Sequence, residues 1–386
     1  MPGKKSTFRR ILGHVAPELF VGRDAELREI TEHAAHASGS RNLLVLFAPF
    51  AGVSELLRQS YDRLFAQHGG ASPIYFAFSR SDSTSTGAAL RFLHTFLTQL
   101  IAHRRADATL LTASPTLRDL LELVAPSDYE WVERLVQTYE RARDEGDELA
   151  LVRACLSAPQ QASARGARTL VMLDDLHLTS HLSGAVQLGG EVAQAAAQAD
   201  VPFVLAGLRR RLLDVLNGAA ERSRFDGART LHLDQLKSAE ARALVEQHAG
   251  RAGVALNDET RDLMVQQFDG SPYFITSLVQ SALLSGTPLT SFREFQKLYV
   301  DELMGGRLQR RLSTLLEEIA PSVALRRSLL RVLHDSAANI GGKSPVEVWL
   351  RRLAVDPVEL MRIMNGLHMR ELASFHTTFV EASPGT

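Results

Sequence analysis

The sequence predicts an α/β protein built on a doubly wound parallel sheet, continued by helical segments toward its end. Three observations predict it. Short continuous apolar runs recur at 42–47, 73–78, 169–173 and 202–206. A strand that is apolar at every residue must be buried on both faces, as parallel strands are. Segments with apolar residues at helical spacing separate these runs, and strands alternating with helices give this fold class. After Ser238 the strand signal fades while helical spacing persists.

Composition narrows the function. The chain has 386 residues, 45% hydrophobic and 23% charged, which fits a globular protein of two or three domains. A formal net charge of -1 argues against wholesale binding to nucleic acid or anionic membrane and leaves room for a local basic patch. No apolar run approaches the length of a membrane span, so no membrane partner is expected. No apolar stretch follows the basic start, Met1 to Arg10, as a secretory signal would require. The single cysteine, Cys155, cannot build a disulfide framework or a thiolate metal cluster, so a reducing cytoplasm is expected. Basic residues are nearly all arginine, and no lysine occurs between Lys5 and Lys237.

Taken in order, residues 1–16 read as a flexible leader. From 17 to 36 a loop runs into an amphipathic helix carrying Leu27, Ile30 and Ala34. The run 42–47 is the first strand, 48–53 a small-residue turn, and 54–67 a helix. A second strand lies at 73–78. Residues 86–160 read as almost wholly helical, with Leu90, Phe92, Leu93, Phe96 and Leu97 in period. The third strand, 169–173, ends in Asp174-Asp175. The fourth is 202–206, and Leu231-His232-Leu233 is a candidate fifth. Ser238 is the expected N-cap of the next helix, and further helices are expected over 258–268 and 273–284. The stretch 291–386 reads as helical to about Leu372. Its helix at 356–372 opens on Asp356 with Pro357 at the first position, and 373–380 has the composition of a hairpin strand.

The turn at 48–53 is the first chemical feature. A strand that delivers small residues onto a helix N-terminus makes an anion site, because backbone N–H groups and the helix dipole face the ligand. The usual phosphate loop reads G-x-x-x-x-G-K-[ST], with lysine on the β- and γ-phosphates and the hydroxyl on Mg²⁺. Here the segment is Ala48-Pro49-Phe50-Ala51-Gly52-Val53-Ser54-Glu55-Leu56-Leu57. It lacks the lysine and reads as two residues short, as though Gly-Lys were deleted between Val53 and Ser54. Alone it reads better as a plain strand, turn and helix in which Gly52 permits the turn. Arg58, one turn further on, is the nearest cation that could reach back.

The segment 19–27, Leu-Phe-Val-Gly-Arg-Asp-Ala-Glu-Leu, resembles the entry box of the AAA+/STAND P-loop ATPases, and Ser54-Glu55-Leu56-Leu57 resembles the end of their phosphate loop. Residues 169–175 are similar to their Walker B strand, although an acidic strand end capping the next helix reads the same way. Residues 201–210 resemble their next strand, followed by Arg209, Arg210 and Arg211, with Arg222 and Arg224 beyond. These arginines read as a solvated basic face; the family also uses such positions as fingers toward a neighbouring subunit. Leu231 to Ala241 resembles the family's junction into a helical lid, and Gly270-Ser271-Pro272 its lid motif. The motifs fall in family order over roughly 18–290.

The resemblance implies a P-loop NTPase-like core at 17–236 with a helical insertion at about 86–165, a helical lid at 237–290, and a winged-helix-like domain at 291–386. It implies ATP or ADP with Mg²⁺ at Val21, Gly22, Arg23, Ala51, Gly52, Val53, Ser54, Glu55 and Pro272. Ser54 and Asp174 would hold the metal, and Asp175 would polarise the attacking water. The missing lysine is the charge that offsets a triphosphate, so weak or lost hydrolysis is expected, with nucleotide binding weak or absent. The leading expectation is a nucleotide-sensing switch or scaffold for protein partners, with self-association a further expectation. One alternative is a slow ATPase in which an arginine replaces the lysine. Another is a DNA-binding regulator acting through 291–386, where basic residues exceed acidic ones by only two. No H-E-x-x-H or G-x-S-x-G element offers a competing catalytic centre.

Overall fold

A computed structural model describes residues 10–35, 42–198, 200–218, 225, 227–338 and 356–372. Five parallel strands form one sheet: β1 (Asn42–Phe47), β2 (Ser72–Ala77), β3 (Thr169–Asp174), β4 (Phe203–Leu208) and β5 (Arg229–Leu233). Their spatial order is β2-β3-β4-β1-β5. The chain leaves β1 for the far edge, returns to β4 beside it, and then crosses to β5 on its other side. In such sheets ligands bind beyond the carboxyl ends of the strands, where the connections diverge.

Both faces of the sheet are covered, as the continuous apolar runs require. Leu43, Val45 and Phe47 of β1 join Leu170 and Met172 of β3 and Val204 and Ala206 of β4 in one core. Leu44, Leu46, Val171, Leu173, Phe203 and Leu205 alternate with them into a second core on the other face. Helix α1 (Asp24–Ala35) and helix α2 (Val53–Gln67) cover the first face through Leu27, Ile30, Leu56, Leu57, Tyr61 and Phe65. The second face is covered by the helical insertion, which occupies Ser85–Ala164 as six helices. The first of them, α3 (Ser85–Arg104), opens on Thr84, whose side chain accepts from the Gly87 amide. The insertion is punctuated by a capping box at Thr116 and Asp119, Pro126 at a helix start, and Gly146 in the left-handed region at a helix end.

The strands run within a residue or two of the sequence expectation, and the fifth extends two residues earlier, to Arg229. Residues 10–16 depart from it, being fixed on α2 rather than free. Asp62 is fully buried and accepts from the amides of Ile11 (3.0 Å), Leu12 (2.7 Å) and Gly13 (3.0 Å). Glu55 accepts from His14 and Val15, and Gln59 donates to the Val15 carbonyl at 2.7 Å. Two carboxylates and an amide, one helical turn apart on α2, thus hold five successive residues of the chain.

The chain divides into two compact units, Met1–Arg251 with Arg261–Thr276, and Ala252–Thr260 with Ser277–Thr386. The Gly270-Ser271-Pro272 turn therefore belongs with the sheet, whereas most of the helix that follows it, Pro272–Ser285, does not. The second unit has a small core of Ile319, Ala320, Leu325, Leu329, Ile363 and Leu367. Its described elements after that helix are helical, ending in Pro357–Met369, where Asp356 caps the amides of Val358 (2.8 Å) and Glu359 (3.2 Å). The expected hairpin strand at 373–380, and with it the wing, lies outside the described residues.

Beneath β2 sits a buried histidine. His103 Nδ1 lies 2.8 Å from the Ser72 hydroxyl, and its Nε2 is buried without a hydrogen-bond partner among the described residues. Burial, then the nearby His68 and Arg104, lower its pKa from 6.5 to about 4. The folded state therefore favours neutral His103. This contribution is full above pH 6.5 and is lost as pH falls toward 4. Urea unfolding across that window should show a loss of about 2 kcal/mol that His103→Gln abolishes.

Candidate functional site

The site grows from the carboxyl end of β1. Five residues, 48–52, connect Phe47 to Val53, the first residue of α2. Gly52 caps that helix at φ 83°, a conformation that favours glycine. A Cβ there would stand 3.6 Å from Pro272 Cγ, so Pro272 packs directly on the loop. Phe50 is also left-handed, at φ 64°, and its ring lies 5.4 Å from that of Tyr273 and 4.8 Å from that of Phe274.

Three consecutive loop carbonyls are tied from outside. Gln235 Nε2 donates to Pro49 O at 2.7 Å, Ser271 Oγ to Phe50 O at 3.4 Å, and Arg23 Nη2 to Ala51 O at 3.3 Å. Because each peptide is planar and trans, fixing these carbonyls turns the amides of Phe50, Ala51 and Gly52 the opposite way. The first amides of α2 have no intrahelical acceptor and complete a donor-rich helix start. Arg23, at φ 67°, also donates to Asp234 O and to Glu26. Gly22 precedes it at φ 69°, so close to Leu236 and Glu240 that a Cβ would crowd both. Gly270 is tighter still: its Cβ would fall 2.2 Å from Leu236 O. Arg23 and Phe50 are thus non-glycine residues held in the left-handed region at or beside the loop, strain of the kind found at functional sites.

Asp174 ends β3 beside this loop and is completely buried. Tyr75 donates its hydroxyl to Oδ2 at 2.9 Å, the Asp175 amide donates to Oδ1 at 2.9 Å, and the Ser54 side chain is a third hydrogen-bond partner. Burial pushes the Asp174 carboxyl up; these three hydrogen bonds and the Arg58 charge pull it down without offsetting the burial. Asp175 is left-handed at φ 53°, and its side chain is 34% exposed. Its Oδ1 is 3.9 Å from Nδ1 of the buried His177, which in turn accepts from the Leu208 amide at the end of β4.

The structure thus gathers Gly22, Arg23, Ala51, Gly52, Val53, Ser54, Pro272, Asp174 and Asp175 around one loop, with half-buried Val21 on the turn before Gly22. The Glu55 carboxylate accepts from the amides of His14 and Val15 and from Gln59 Nε2. The arginines after β4 are not a plain solvated face. Arg211 is buried against His177 O, Ser180 Oγ and His181 Nε2, and Arg209 pairs with Asp234 at 2.9 Å. Arg222 and Arg224 lie outside the described residues. Arg58 lies over the Tyr75 ring, 5.4 Å from its centroid, with Nη1 3.4 Å from His14 Nδ1. Sequence reasoning missed Tyr75, Gln235 and Ser271. Only Ser271 carried a signal, as part of the Gly-Ser-Pro turn.

The residues do not fit Mg²⁺. An ionised carboxylate has about four acceptor positions. Three are engaged here, and none of the group reaches solvent. The remaining position on Asp174 is sealed from solvent, and the Ser54 hydroxyl keeps lone pairs of its own. Among the described residues, no group of three or more His, Cys, Asp or Glu could hold a metal ion. No described helix is long and apolar enough to cross a membrane. A cleft of about 760 Å³ lined by Asp147, Glu148, Gln187, Glu191, Gln194 and Phe225 contains none of the site residues.

No family model and no curated protein matches the sequence. Among solved structures, the chain is similar to the Walker-type ATPase of Pyrococcus abyssi, at 15% identity and TM-score 0.51, over 94% of this chain and 92% of that one. It is also similar to the Aeropyrum pernix ORC2 protein, solved as ADPNP-ADP complexes, at 14% identity and TM-score 0.48, over 95% and 98% of the two chains. A third is domain III of the Thermotoga maritima replication initiation protein DnaA, at 13% identity and TM-score 0.45, over 74% and 95%. The first likeness shows the fold, that of the Walker-type ATPase, and only the fold.

Proposed function

We propose that this chain is a degenerate AAA+/STAND-type module that binds an adenine nucleotide weakly, hydrolyses it little or not at all, and serves protein partners as a nucleotide-sensing switch or scaffold. One observation carries the reading. Ser54 hydrogen-bonds Asp174, and this supports a register in which Gly52-Val53-Ser54 stands for Gly-Lys-Ser. In that register a buried valine at the first residue of α2 takes the place of the lysine. An apolar side chain supplies no charge to a triphosphate or to its transfer. Pro272 and Ser271 contact the loop directly, so a ligand that moved the loop would move the helix they open; this coupling requires different affinities for the two arrangements.

The slow-ATPase alternative needs a substitute cation. Arg58, its best candidate, is engaged by the Tyr75 ring and near His14, on the Asp174 side of the site. The test is calorimetric titration with ADP and ATP. Weak binding by the wild type should tighten by at least about tenfold for ATP in Val53→Lys, whose flexible stem can lie along the loop with its ammonium at the phosphates. Equal ATP affinity in the two proteins would refute the loop register.

A further inference from the structure

Tyr75 is the residue that sets this site apart. It lies on edge strand β2, two register positions from the end that faces Asp174: Ala77 pairs with Asp174, and Tyr75 with Met172. The edge is closed by Gln99 of α3. Its Oε1 accepts from the Tyr75 amide at 2.7 Å, and its Nε2 donates to the Tyr75 carbonyl at 2.9 Å. The ring is 8% exposed, with Arg58 over its face. The backbone is clamped, the ring is packed, and the hydroxyl has one place to go, Oδ2 of Asp174.

We propose that the phosphate-loop site takes the diphosphate of a nucleotide without a divalent cation, with Tyr75 holding the Asp174 oxygen that a metal-bound water would otherwise use. The inference rests on the nucleotide-binding reading above. In a metal-assisted site the acid must offer a lone pair toward the phosphates. Here Asp174 has no accessible surface and a donor on each oxygen, and Arg58 supplies the positive charge beside it. With Val53 in the lysine position and no cation, a γ-phosphate adds charge that nothing offsets. The site therefore favours ADP over ATP, and the ligand binds through loop and helix amides.

The experiment is titration of the whole chain with ADP and with ATP, once in excess EDTA and once in excess Mg²⁺. Expected is ADP binding in EDTA that Mg²⁺ leaves unchanged within about twofold, or weakens by sequestering free ADP, with ATP binding more weakly. Tyr75→Phe keeps the packed ring and frees the Asp174 oxygen. In that variant Mg²⁺ should tighten ADP by several-fold, and Mn²⁺ should broaden resonances near Asp174 that it spares in the wild type. Binding by the wild type only when Mg²⁺ is present overturns the inference and leaves the nucleotide reading standing. So does a Mg²⁺ enhancement of about tenfold or more. An unchanged metal response in Tyr75→Phe overturns the role given to Tyr75. No heat with either nucleotide, with or without cation, overturns the nucleotide reading itself and the inference with it.

Discussion

Asp62→Ala is expected to release residues 11–13 from α2 and to lower the stability of the protein by about 3 kcal/mol. The wild-type carboxylate is completely buried and accepts three backbone amides within 3.0 Å. Removing it leaves three donors without an acceptor, each worth about 1 kcal/mol when stranded. No local side chain can replace it, since Gly13 is already so close that a Cβ would sit 2.9 Å from Asp62 Oδ2. The chain can reduce the cost by swinging the segment into water, which forfeits the contacts at His14 and Val15 as well. Two measurements therefore move together: the urea midpoint falls, and hydrogen exchange at the amides of 11–13 speeds up toward the rate of a free chain. Slow exchange in the variant would show that the segment is held by its apolar contacts alone. Asp62→Asn, which keeps one acceptor oxygen, should fall between the two.

That segment shows where sequence reading reached its limit. Residues 10–16 have no periodicity, and their partners lie roughly fifty positions downstream, so nothing local announces that they are fixed. Glu55, Gln59 and Asp62 on α2 read as the polar side of an amphipathic helix, whereas Gln59 and Asp62 are buried against backbone. The sheet was legible for the opposite reason. A strand covered on both faces is apolar at every position, and 42–47 and 169–173 show that without any knowledge of their neighbours. The site was legible in part. Gly52, Ser54, Asp174 and Pro272 were singled out by the order of the motifs, and Pro272 lies against Gly52 while Ser54 meets Asp174. Tyr75 was invisible because a buried tyrosine in an apolar strand looks like any other core aromatic until its hydroxyl is placed. The boundary near 276 was equally hidden, because one unbroken helix, Pro272–Ser285, carries the chain from one unit into the other.

Asp174→Asn should stabilise the protein at neutral pH, by about 1–2 kcal/mol. Burial raises the folded pKa of this carboxyl above its unfolded value, so the native state holds its proton to higher pH than the unfolded chain does. As pH rises through that interval the unfolded state ionises first, and wild-type stability falls. Above it the native state carries a buried charge that costs free energy. Asparagine removes the charge and keeps the shape. Its carbonyl oxygen can accept from the Asp175 amide as Oδ1 does now, and its amide nitrogen faces the Tyr75 hydroxyl, which can turn and accept. Thermal unfolding from mildly acid to neutral pH should show the wild type losing stability relative to the variant as the carboxyl ionises. A variant that is less stable than wild type at neutral pH would mean that the hydrogen bonds and Arg58 outweigh the burial, and that Asp174 is held as a stable anion. Gain of stability with loss of charge is the pattern expected of a residue retained for a ligand or partner rather than for the fold. A buried acid that served packing alone would show no such gain, so this variant separates the two roles at the centre of the site.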